Sequence, residues 1–230
     1  MLKRTLLLST LLLATSGILA QDQAAPQDQA VLPEQVVEKT VPPKECSSCH
    51  GLDGNSFAGV FPNLAGQNSE YLFKQFKEFK NKARLNDMMS AREPDTKTEG
   101  WTDPGMIYFL PDDLMKVTAE FFATQKLKPA AAKNSDKDSD AFKMGEKLWR
   151  AGIASKGLPA CSACHGPAGK GMPAQYPALA GQYPEYLEVQ LKAFRDEIRA
   201  NDPSKMMREI ALKMTDKEIQ AVSDYAAGLR

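Results

Sequence analysis

An all-α chain made of two tandem domains is the fold class this sequence predicts, and three observations predict it. One set of residues occurs twice at a fixed spacing, apolar residues recur at helical intervals, and no run of alternating β-branched residues suggests a sheet. Cys161 stands 115 residues after Cys46, and the same offset pairs Leu64–Gln67 with Leu179–Gln182, Pro62 with Pro177 and Tyr71 with Tyr186. It also pairs Gln75 with Gln190, Phe79 with Phe194, Arg84 with Arg199 and Asn86–Asp87 with Asn201–Asp202. Beyond that point the spacing widens to 118, which aligns Met88 and Met89 with Met206 and Met207. A period this long signals a duplicated domain, since solenoid repeats are shorter. Halves of about 100 residues are of ordinary domain size.

Taken in order, the chain opens with Lys3 and Arg4, an apolar run and a small-residue end at Ala20, the pattern of a secretory signal peptide over residues 1–20. Cleavage after Gly17 also fits. The competing reading is an uncleaved anchor, but the run is short for a span and polar residues follow at once from Gln21. Residues 21–40 read as a flexible segment, 41–128 as the first domain, 129–140 as an exposed linker and 141–230 as the second domain. In the first domain Leu72, Phe76, Phe79 and Ala83 share a helix face, with Ser69 at the N-cap; Leu187, Leu191, Phe194 and Ile198 repeat that face, with Pro184 in the first turn. The last helix opens at Thr215 with Glu218 in capping-box spacing and runs through Ile219, Val222, Tyr225 and Leu229. Its counterpart opens near Pro111 and runs through Met115 to Phe122. Ala141–Gly152 reads as a further helix, whose counterpart in the first half is expected to be short or irregular.

The formal net charge is zero, so a polyanion-binding role is a poor fit and no nucleic-acid partner is expected. Cysteine is used more pointedly. The chain has 4 Cys and 2 His, and all six lie in Cys46-Ser-Ser-Cys49-His50 and Cys161-Ser-Ala-Cys164-His165. A cysteine pair two residues apart serves zinc binding, dithiol redox chemistry or covalent haem attachment. Zinc would need the two halves to pool their thiols and would leave both histidines unexplained, and no strand precedes either motif as a thioredoxin-like pair would require. Haem attachment accounts for every residue: the thiols add across the vinyl groups, and the adjacent histidine reaches the iron. With no histidine left over, methionine is the sixth-ligand donor, and the repeated pairs Met88/Met89 and Met206/Met207 are the candidates.

These residues, together with the P-x-L-A-G-Q segment after each motif and the E-Y-L helix start, resemble the di-haem cytochrome c4 family, a duplication of the class I cytochrome c fold. The resemblance spans nearly the whole chain after the signal segment. It implies two tandem class I cytochrome c-like domains, each wrapped around one covalently attached c-type haem. Cys46 and Cys49 would carry the first haem and Cys161 and Cys164 the second, with His50 and His165 axial. Pro62 and Pro177, each twelve residues past its histidine, resemble the prolines whose carbonyls accept the axial histidine's ring proton. Leu64 and Leu179 look like haem-packing residues. The family's distal methionine precedes the final helix by about eight residues, which Met207 matches. The first half departs: an insertion from Ser90 to Leu110, containing Trp101, separates Met89 from the helix that follows. The repeat points to Met89, and Met106 is the alternative.

Haems filled on both faces leave no room for a substrate, so the expectation is an electron carrier and not an enzyme, with no small-molecule substrate. The resemblance implies a periplasmic shuttle between membrane-bound respiratory complexes, from a quinol-oxidising cytochrome complex to a terminal oxidase, with association at the membrane surface open. Charge is nearly balanced between the halves, so docking is expected to rely on apolar rims around the haem edges. Two rivals remain: a haem enzyme or oxidoreductase subunit with one open site, and a zinc-stapled structural protein.

Overall fold

The computed structural model describes residues 42–90, 106–108 and 110–230. The signal segment, residues 21–40 and most of the insertion, Trp101 included, lie outside that range. The first half contributes α1 (Lys44–His50), α2 (Ser69–Lys80) and α3 (Asp112–Thr124). The second contributes α4 (Asp140–Arg150), α5 (Ser162–His165), α6 (Pro184–Arg195), α7 (Met206–Ala211) and α8 (Asp216–Gly228). Among the described residues there is no strand, only isolated bridges between Ile153 and Leu158 and between Met172 and Tyr176. No described helix is long and apolar enough to cross a membrane.

Local chemistry sets the helix ends. Thr215 and Glu218 form the expected reciprocal capping box at the start of α8, and Pro184 is the first residue of α6. The start of α2 differs from expectation: Asn68, not Ser69, is the N-cap, its side chain accepting the Tyr71 N–H at 3.1 Å. The apolar stripes also end sooner than their spacing suggests. Lys82 and Glu197 both adopt left-handed φ values, 65° and 57°. The chain then folds back so that Arg84 N–H reaches Glu78 O and Arg199 N–H reaches Ala193 O, each at 2.9 Å. This wide closing bond is of the type that ends many helices. Ala83 is therefore exposed, and Ile198 is 68% exposed instead of buried. The same turn lays each guanidinium over an aromatic ring, Arg84 over Phe79 at 4.5 Å and Arg199 over Phe194 at 4.4 Å.

Each half buries its own core. Leu72, Phe76 and Phe79 of α2 pack with Met115, Ala119 and Phe122 of α3. Leu187 of α6 packs with Leu148 and Trp149 of α4 and with Ile219, Val222 and Tyr225 of α8. Helix α4 crosses α8 at Gly145, where a Cβ would lie 2.3 Å from Ala221 O. Only glycine permits that approach.

The halves meet across a pseudo-twofold junction. The Gln67 amide bonds both the N–H and C=O of Ala178, and the Gln182 amide bonds both the N–H and C=O of Asn63, all four at 2.9 Å. Arg84 donates to Gln75 in its own half and to Tyr186 and Gln190 opposite. Arg199 mirrors it, donating to Gln190 in its own half and to Tyr71 and Gln75 opposite. The linker is exposed over much of its length but tethered: Ala130 is buried and donates to Gly181 O, and the Asn134 N–H bonds the Asp224 carboxylate.

Candidate functional site

Residues 46, 49 and 50 are spaced i, i+3 and i+4, so one helical turn gathers them on a single face. Helix α1 supplies that turn for Cys46, Cys49 and His50. In the second half Cys161 has helical backbone angles and caps α5, which gathers Cys161, Cys164 and His165 likewise. A left-handed glycine then reverses the chain, Gly51 at φ 78° and Gly166 at φ 79°. At Gly166 a Cβ would touch nothing, so the backbone angle alone calls for glycine there.

The reversal carries the chain around each histidine to a proline carbonyl. His50 Nδ1 lies 2.8 Å from Pro62 O, and His165 Nδ1 lies 2.9 Å from Pro177 O. The loops are pinned alike: Leu64 and Ala65 N–H bond Gly54 O, and Leu179 and Ala180 N–H bond Gly169 O. A carbonyl only accepts, so each Nδ1 carries the proton and each Nε2 keeps its lone pair. Burial lowers both imidazole pKa values, partly opposed by the proline carbonyls, which favours neutral rings suited to ligation. Phe61 and Tyr176 meet the rings of His50 and His165 edge-on.

The cysteines argue against the alternatives. Burial pushes the thiols of Cys46 and Cys161 up to about 11, opposite to the activated thiolates of redox motifs. Among the described residues no three His, Cys, Asp or Glu side chains converge as a metal-binding group, as a shared zinc site would demand.

Both motifs open onto one cavity of about 540 Å³. Its walls include every haem-site candidate of the sequence: the four cysteines, both histidines, Pro62, Pro177, Leu64, Leu179 and the candidate methionines. Met89 packs against the first core cluster, as Cys46 does, whereas Met88 is 50% exposed. Met106 is close by, its N–H donating to Met88 O at 3.0 Å. Met206 and Met207, both half-buried, open α7. The buried Ser223 hydroxyl also lines the cavity and has no hydrogen-bond partner among the described residues. Apolar walls, paired thiols and a neutral, oriented imidazole in each half fit a haem twice over.

Sequence reasoning assigned no role to the residues of the junction, although Tyr71, Gln75, Arg84 and their counterparts stood out in the repeat. Their signal was polarity: they recur at the domain offset without being suited to binding haem or packing a core. Asp202 recurs at that offset opposite Asp87, but Arg208, its ion-pair partner next to Met207 at an N–O distance of 2.8 Å, carried no such signal.

Comparison with known proteins agrees with this geometry. The cytochrome c family model matches residues 38–126 and again 142–229. The chain belongs to the cytochrome c family, in its duplicated di-haem c4 branch. It is 40% identical over 186 residues to cytochrome c4 of Thiocapsa roseopersicina, covering 80% of this chain and 86% of that one. A protein of Thiomonas intermedia (strain K12) named thiosulfate dehydrogenase electron acceptor is 36% identical over 217 residues, 94% of this chain and 89% of its own. Among solved structures, reduced recombinant cytochrome c4 from Pseudomonas stutzeri superposes with a TM-score of 0.68 at 37% identity, covering 80% of this chain and 93% of that chain. The protein is thus a di-haem c-type cytochrome and an electron carrier.

Proposed function

We propose that the protein is an exported, periplasmic carrier whose two irons are each held between a histidine and a methionine. Cys46 and Cys49 hold the first haem and Cys161 and Cys164 the second, with His50 and His165 as proximal ligands. Pro62 and Pro177 fix the imidazole tautomer and orientation, and Leu64 and Leu179 pack against the rings. Met89 is the sixth ligand of the first site and Met207 of the second. The bound haems supply reversible one-electron chemistry; the chain supplies the ligands, the apolar surroundings and the docking surface. One observation carries the reading: two Cys-Cys-His faces, each with its imidazole held by a proline carbonyl, look into a single cavity with a methionine pair from each half.

Met89 is preferred to Met106 because it holds the repeat position and, as Cys46 does, packs against the first core cluster. With both axial positions filled there is no site for a substrate, and the protein is not an enzyme. Its partners are membrane-bound respiratory complexes, a quinol-oxidising complex as donor and a terminal oxidase as acceptor. A second reading, acceptor for a thiosulfate-oxidising enzyme, is favoured by the Thiomonas relative, whose match spans 94% of this chain.

Spectroscopy of the ferric protein tests the ligand set. The thioether-to-iron charge-transfer band should show full intensity for two haems, and Met89→Ala should halve it while Met106→Ala leaves it intact. The reverse pattern would assign Met106. Uptake of carbon monoxide at one haem of the reduced wild-type protein at neutral pH would favour an open-site enzyme over a carrier.

A further inference from the structure

The two halves also differ just ahead of their methionine pairs. Relative to Asp87 and Met88, the second half holds three extra residues, Pro203–Lys205, between Asp202 and Met206. These form a 3-10 turn in which Ser204 (φ 53°, ψ 27°) and Lys205 (φ 58°, ψ 22°) are consecutive left-handed residues without being glycine. L-residues resist that conformation, and two in succession persist only where the surroundings hold them. Among the described residues no other two neighbours of this kind adjoin.

The surroundings here are specific. One Asp202 carboxylate oxygen accepts the Arg208 backbone N–H at 3.0 Å, and the other accepts Arg208 Nε at 2.8 Å. The Arg208 guanidinium also donates to Ala200 O at 3.3 Å. The pair thus clamps both ends of the strained turn, closing a loop that contains Met206 and Met207. Its side chains are 2% exposed for Asp202 and 17% for Arg208, so water competes poorly with the bond. Asp202 and Pro203 border the same cavity as the methionines. The first half uses a lighter device: the Asn86 side chain accepts the N–H groups of Met88 and Met89, at 3.1 and 3.0 Å.

We propose that Asp202 and Arg208 are positioning residues that hold the strained Pro203–Lys205 turn so that Met207 stays on the second iron. Strain in the turn favours release of the methionine, and the clamp opposes it. The second haem is then the one whose sixth ligand answers to a single, largely shielded ion pair. This inference rests on Met207 being the ligand.

The test uses the ferric di-haem protein, with the charge-transfer band and imidazole displacement as readouts. Asp202→Asn keeps the shape but turns an amide donor toward Arg208. It should deplete the band of the second haem and let imidazole bind there about tenfold or more tightly, the scale of a lost charge-assisted bond. Ser204→Gly combined with Lys205→Gly relieves the strain and should move imidazole affinity the opposite way, severalfold weaker at the second haem alone. Met207→Ala is the control and should halve the band. A full band in Met207→Ala overturns both the ligand assignment and the inference. A halved band there, with wild-type band and imidazole affinity in Asp202→Asn, overturns the inference alone. Should Asp202→Asn yield no holoprotein, the glycine variant decides: unchanged or tighter imidazole binding sinks the proposal.

Discussion

Glu218 shows how much a single side chain holds together. It completes the capping box of α8 with Thr215 and also takes the Lys156 ammonium at 2.7 and 2.8 Å, with its side chain only 10% exposed. Burial pushes its pKa up, but Lys156 and the Thr215 hydrogen bonds outweigh it, so the net direction is down from 4.5. A depressed carboxyl stabilises the fold fully above its unfolded pKa and loses that contribution as the pH falls through the folded value. Glu218→Gln should therefore cost about 1 kcal/mol in urea unfolding at neutral pH, with the gap to wild type closing in acid below pH 4.5. A gap independent of pH would mean the charge contributes nothing. Residues of this kind were legible beforehand, because a capping box is local and needs only its own spacing. The cysteines and histidines were legible for a stricter reason: covalent attachment to a rigid ring fixes their order and separation. The Asn68 cap was misplaced by one residue because asparagine and serine compete for that position on nearly equal terms.

Among the elements, the crossing of α4 and α8 is the most exacting contact. Gly→Ala inside a helix ordinarily helps by about 1 kcal/mol, but at Gly145 the new methyl would meet Ala221 O at 2.3 Å and Tyr225 Cβ at 2.8 Å. Overpacking of this order costs about 1–3 kcal/mol, so the clash outweighs the propensity. Gly145→Ala should lower thermal stability and leave the first half's haem spectrum unaltered. An increase in melting temperature would show that the crossing relaxes freely. Helices were foreseeable from their apolar spacing, yet two of their ends were not. Lys82 and Glu197 look like ordinary helix formers, and nothing local marks them as the left-handed residues that cut the stripe short of Ala83 and Ile198. The long closing bond to Glu78 and Ala193 decides it. The choice among the first half's methionines was also obscured, since an insertion breaks the spacing on which the second half could be judged.

At the scale of the whole molecule, the junction between halves is polar and buried. Each of the two glutamine amides satisfies a backbone N–H and C=O in the opposite half. Leaving a buried polar group unpaired costs about 1–3 kcal/mol, so Gln67→Ala with Gln182→Ala should open the junction without unfolding either core. Small-angle X-ray scattering should then show a larger radius of gyration while the absorbance of both haems is retained. An unchanged radius would locate the cohesion elsewhere, in the network around Arg84 and Arg199. None of this was visible from one sequence beyond the recurrence itself, because the partners lie more than 100 residues apart.

The glutamines grip main-chain atoms alone, and that has a consequence for divergence. A contact that ignores side-chain identity in its partner lets the two copies drift apart chemically while their mutual register is preserved. The drift is visible: Phe57 and Val60 of one copy stand where the other has Met172 and Gln175. The duplication thereby yields one joined molecule with two unlike faces, one for each electron-bearing group.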